Sequence, residues 1–180
     1  MTKEQNKFGK IGIGVDPGWV NLGFASVVQV EPFKVRILRC DTFNPRDGMG
    51  GSLGLVKDIE TYLTEELGND GMDSVVIERF APYNNVMSPE AENITMLVGS
   101  LNYMFKYCGV SISSIQLTRA IDWKIKLAKL LAKNTSFRNP SSDLDKKFSI
   151  AAAKAISINP EIIKDDHTAD AVCLATINLF

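Results

Sequence analysis

Apolar residues, many of them β-branched, dominate three short runs at 10–16 (KIGIGVD), 22–30 and 33–43, which read as strands. Pro17-Gly18 separates the first two. That pair suits the central positions of a type II turn, with Gly supplying positive φ. Glu31-Pro32 separates the second strand from the third, so the opening predicts an antiparallel meander. The stretch NPRDGMGGS (44–52) reads as a loop. Across 52–67 the pattern changes, with Leu53, Val56, Ile59, Leu63 and Leu67 at helical spacing. Residues 73–78 (DSVVIE) form a short apolar run ending in a carboxylate. Pro89 opens a helix to Tyr107, with Ile94, Leu97, Val98, Leu101 and Phe105 on one face. A strand over 111–117 and helices over 119–131, 144–157 and 167–179 complete the chain. This order predicts an α/β domain, a five-stranded mixed sheet flanked by helices.

Composition narrows the class. A chain of 180 residues suits one domain, expected over 10–180 behind a tail of 1–9. With 45% hydrophobic and 23% charged residues, disorder is excluded as the main state. No uninterrupted apolar run approaches the roughly 18 residues that a membrane helix needs. The opening MTKEQNKFGK lacks the apolar core of a signal peptide. Cys40, Cys108 and Cys173 are dispersed and odd in number, which argues against disulfides or structural zinc. The expectation is a cytoplasmic protein.

Charge is segregated. Net charge is −1, yet residues 41–100 hold 11 acidic and 3 basic side chains, and residues 119–154 hold 9 basic and 3 acidic ones. The basic stretch has two readings. It tracks a phosphate backbone, or it is a solvated helix face on which Lys124, Lys126, Lys129 and Lys133 alternate with apolar residues.

Candidate chemistry sits at element ends. Asp16 closes the first strand, beside Gly12, Gly14, Gly18 and Gly23, which leave room for close approach. Glu78 closes the strand of 73–78. In DDHTADAVCLA, His167 and Asp170 lie three residues apart and share one side of a first helical turn. Each has a plainer reading alone: Asp16 as a turn former, Glu78 as a solvated strand end, Asp165 or Asp166 as a helix cap. Together, carboxylates on three elements suit hard cations such as Mg²⁺. Two such ions about 3.5–4 Å apart can hold the attacking and leaving oxygens of a phosphoryl displacement.

The segment GVDPGWVNLGFA resembles the opening strand-turn-strand of RuvC-type Holliday junction resolvases, a family with the RNase H-like fold. VVIERF resembles the strand carrying that family's second catalytic acid, and NVMSPEAENITMLVGSLNYMF the long helix after it. DKKFSIAAAKAI and DDHTADAVCLATI resemble its last two helices, with the closing [D/H]xxDA pattern. The resemblance runs from Lys10 over nearly the whole chain. It implies Asp16, Glu78, His167 and Asp170 as catalytic residues and ligands of two Mg²⁺ ions, with Mn²⁺ as an alternative. Asp16 would bridge the ions, Glu78 would hold one, and Asp170 with His167 the other. His167 stands where family members carry Asp or His, and neighbouring Asp166 is the competing fourth ligand.

The same resemblance implies a homodimer, paired through the helix of 89–107, that nicks four-way junctions and other branched DNA to leave 5′-phosphate and 3′-hydroxyl ends. Met87, Met96 and Met104 are the adaptable contacts for that surface, and core packing is their competing role. Arg79, Lys124, Lys146 and Lys147 are the candidate phosphate contacts. Phe80 and Tyr83 are candidates for stacking on bases, with a buried loop anchor as the other reading of Phe80. Three rivals stand beside this reading. An actin-like ATPase hairpin has a similar opening motif but needs a second domain. An RNase H-fold nuclease would act on RNA or RNA–DNA hybrids. A junction-binding protein without catalysis would have no use for the clustered acids.

Overall fold

The computed structural model describes residues 9–45, 51–68, 71–80 and 88–180. Strands β1 (Ile11–Asp16), β2 (Leu22–Glu31) and β3 (Lys34–Phe43) form the expected antiparallel meander. Phe33 closes the second hairpin with φ of 57°. Helix α1 (Gly51–Thr61) continues into a π-helical turn, Tyr62–Leu67. Strand β4 (Ser74–Glu78) pairs parallel with β1, and β5 (Ile115–Thr118) pairs parallel with β4. Helix α2 (Pro89–Tyr107) links those two strands. Helices α3 (Ala120–Asn134), α4 (Lys146–Ile156) and α5 (Asp166–Thr176) follow. The mixed sheet runs β3-β2-β1-β4-β5.

Two cores cover its faces. Ile11, Ile13, Val15, Val75 and Ile77 pack with α1 and α2. Ala25, Val27, Val76 and residues of α3, α4 and α5 pack on the other side. Strands β1 and β4 are buried on both faces, which is why they read as nearly continuous apolar runs. On the α5 side β1 presents Gly12 and Gly14, and a Cβ there would stand 2.1 Å from the Ala175 carbonyl oxygen and 2.0 Å from that of Ala171. The glycines thus let α5 lie directly on the strand. Among the described residues no helix is long and apolar enough to cross a membrane.

Three local expectations change. Gly18 does not have positive φ, so it is not the left-handed residue of a type II turn. Its requirement is space, because a Cβ would come within 2.2 Å of the Asn21 carbonyl oxygen. Leu53 is 74% exposed, and the inward face of α1 is carried by Leu55 and Ile59. The fifth strand begins at Ile115, preceded only by a single bridge between Met72 and Ile112.

Candidate active site

Strand alternation places Asp16 on the face that holds Gly12 and Gly14, under α5. Glu78 follows Val76 on the same face of the neighbouring parallel strand. The register pairs Val15 with Ile77, so the two carboxylates emerge side by side at the C-terminal sheet edge. That edge is where open α/β sheets bind ligands.

The first turn of α5 closes over them. Asp165 caps this helix: its carboxylate accepts the Thr168 N–H at 2.8 Å, and the Thr168 hydroxyl accepts the Asp165 N–H at 3.0 Å. Thr42 on β3 donates to the same cap at 2.8 Å. A side chain at Gly23 would meet the His167 carbonyl oxygen at 2.2 Å, so this glycine admits the turn. His167 Nδ1 then lies 3.0 Å from Asp16 Oδ2. With its proton on Nδ1, His167 donates to Asp16 and keeps the Nε2 lone pair to accept a proton or bind a cation. Asp16 also holds the His167 pKa above its ordinary value, first through this hydrogen bond.

Helix α3 supplies two tethers. The Trp123 indole N–H donates to Glu78 Oε2 at 2.7 Å. Lys124 Nζ lies 3.7 Å from Asp170 Oδ2, with both side chains largely buried. Burial, then repulsion from Asp16, push Glu78 up to about 7, while the Trp123 hydrogen bond opposes them. Burial also raises Asp170, with Lys124 and the Ser149 hydroxyl opposing. Asp170 Oδ1 is buried and has no hydrogen-bond partner.

Asp166 is turned to another task. It pairs with Lys146, and that ion pair keeps its carboxyl below the usual range. Lys146 and Lys147 are exposed, as is Arg79. Phe80 is half-buried against the α1–α2 core, as a loop anchor would be. Tyr83 and Met87 lie outside the described residues. On α2, Met104 is 5% exposed and belongs to the core, whereas Met96 is 71% exposed. Met96 lines a groove of about 730 Å³ with Leu53, Val56, Tyr103 and Tyr107.

Trp123 and Ser149 carry no signal in the sequence that would mark them for the site. Trp123 shares a helical stripe with Leu127 and Leu131, all buried, so periodicity marks it only as core. Among the described residues no three His, Cys, Asp or Glu side chains form a ready-made ligand cluster. The donor set nevertheless fits a divalent cation. It is rich in hard oxygen, one buried carboxylate oxygen lacks a partner, and neighbouring carboxylates repel one another.

No family model matches the sequence, and no curated protein matches it. Solved structures do. The Thermus thermophilus RuvC in complex with a Holliday junction substrate aligns with a TM-score of 0.62 at 18% identity, over 93% of this chain and 91% of that one. The yeast mitochondrial Holliday junction resolvase aligns with a TM-score of 0.59 at 14% identity, over 97% and 82%. The manganese-soaked, inhibitor-bound human cytomegalovirus terminase nuclease domain gives 0.51 at 13% identity, over 99% and 87%. The meander, the two parallel strands and the flanking helices of this chain are therefore the RNase H-like fold.

Proposed function

We propose that this chain is a structure-specific DNA endonuclease that resolves four-way junctions, and cuts other branched DNA, by paired nicks. The observation that carries the reading is the convergence of Asp16, Glu78, His167 and Asp170, from β1, β4 and α5, on one sheet edge of an RNase H-like fold. Those four residues would hold Mg²⁺ or Mn²⁺. When bound, such ions lower the pKa of the attacking water and neutralise charge on the 3′-oxygen leaving group.

The chain's own groups do the rest. Asp16 and Glu78 project from rigid paired strands, which fixes their spacing. With Nδ1–H donated to Asp16, His167 would offer its one remaining lone pair, on Nε2, to the cation. Exposed Arg79, Lys146 and Lys147 face solvent where phosphates can reach them. Lys124 stays tied to Asp170 and steadies that carboxylate. Products would carry 5′-phosphate and 3′-hydroxyl ends.

Paired nicks need two sites, and the described residues of one chain bring together one. The exposed apolar groove along α2, with Leu53, Met96, Tyr103 and Tyr107, is our candidate for a homodimer contact. Sedimentation should give a dimer for the native chain and a monomer for Met96→Asp, and a native monomer at micromolar concentration would remove the dimer. The activity is tested with labelled four-way junction, fork, linear duplex and RNA–DNA hybrid, each with Mg²⁺ or EDTA. Symmetric junction nicks only with Mg²⁺ are expected. Preferential cutting of the hybrid would move the protein to the ribonuclease branch of the fold.

A further inference from the structure

Helix α3 places two adjacent side chains on two different acids of the site. Lys124 reaches Asp170 on α5, and Trp123 reaches Glu78 on β4. The second contact is the more constrained. Trp123 is 1% exposed and packs among Leu127, Leu131 and Phe148. An indole N–H only donates, and in such a core it needs a fixed acceptor. The acceptor it meets is a carboxylate at 2.7 Å, a charge-assisted bond. Among the described residues Glu78 Oε1 has no hydrogen bond, so the tryptophan engages one oxygen and leaves the other.

We propose that Trp123 is a positioning residue for Glu78: its buried indole N–H holds Oε2 and thereby leaves Oε1 as the oxygen this side chain offers to a bound divalent cation. This rests on reading Glu78 as a cation ligand. The packing around the ring fixes the donor, the donor fixes the carboxylate, and the cation need not order it. Outer partners of this kind typically change metal affinity by about 10–100-fold. A merely structural tryptophan would change thermal stability and leave cation affinity alone.

The test uses the full chain. Trp123→Phe keeps an aromatic ring in the core and removes the donor. Calorimetric titration with MnCl₂ should show at least about tenfold weaker binding than in the native protein. Equal affinity in the two proteins would overturn the positioning role and leave the cation site standing. Absence of Mn²⁺ binding to the native protein would overturn both. A second arm does not depend on the variant folding. The chain has two tryptophans, Trp19 and Trp123, so the native protein gives two indole N–H resonances, assigned with Trp19→Phe. On titration with MgCl₂, the Trp123 indole signal should move together with the backbone amides of Asp16 and Asp170. If those amides move and the indole signal does not, the positioning role is wrong while the site survives. If neither moves at millimolar Mg²⁺, both fall.

Discussion

At the residue scale, burial first and neighbouring carboxylates second disfavour charge on the acids of the site, and a bound cation would offset both. Glu78 is pushed up to about 7 from 4.5, and Asp170 is raised as well. A carboxyl whose folded pKa exceeds its unfolded one favours the fold while protonated, and that contribution is lost as pH rises from about 4.5 to 7. His167 is raised too, so its contribution is complete below 6.5 and is lost as pH passes its folded value. All three therefore run the same way. In EDTA, the melting temperature should fall between pH 5 and pH 8, and Mg²⁺ should raise it more at pH 8 than at pH 5. Calorimetric melts at the two pH values check this, and an Mg²⁺ effect equal at both would contradict it. The four candidate side chains stand out in the sequence because Asp16 and Glu78 end apolar strands, and His167 and Asp170 lie in the first turns of the last helix. Trp123 and Ser149 do not, since each sits on the buried face of a helix, and only tertiary packing decides which polar atom a core side chain meets.

At the element scale, the architecture depends on how closely α5 approaches β1. Gly14 is the tightest contact on that strand. A methyl group there would stand 2.0 and 2.4 Å from backbone atoms of Ala171 and Ala175, which neither strand nor helix can move alone. Gly14→Ala should cost roughly 3 kcal/mol, a melting-temperature loss of about 10 °C for a chain of this size. Gly54 in α1 has nothing within 4 Å, so Gly54→Ala should be neutral or stabilising by up to about 1 kcal/mol. Denaturant melts of both variants separate crowding from helix propensity, and equal effects would contradict the close-approach account. The strand pattern was legible here, and so was the span of α2, where Ser88 caps and Pro89 occupies the first turn. The exposure of Leu53 was not, because one apolar period describes a core face and an open groove alike. Nor was the role of Gly18, since a turn glycine can serve either dihedral freedom or space.

At the scale of the whole molecule, the acidic and basic segments now have places. The acidic stretch spans α1, β4 and the start of α2, and the basic stretch spans α3 and α4. Helices α3 and α4 pack on the sheet face that also carries the site. On the proposed junction reading, α3 and α4 are the candidate path for a DNA strand beside the site. Replacing Lys146 and Lys147 together by Ala should weaken junction binding and reduce its log–log salt slope by as much as about 2, near 0.9 per lost phosphate contact. Binding titrations at several salt concentrations decide this, and an unchanged slope would take both lysines off the DNA path. The fold was readable because the order of strands and helices admits few topologies. The side on which charge gathers was not, because it depends on how α3 and α4 wrap the sheet.

The proposed cation-dependent cutting of branched DNA turns on Asp16, which stands beside Glu78 and against His167. Its most direct test sets the native chain against Asp16→Asn on one labelled four-way junction, with Mg²⁺, and reads binding and cleavage in the same samples. The account predicts paired nicks by the native protein, near-native junction binding by the variant, and a cleavage rate lower by more than about 100-fold, beyond the usual cost of losing an outer partner. Equal cleavage by the variant, or loss of junction binding along with cleavage, would contradict it.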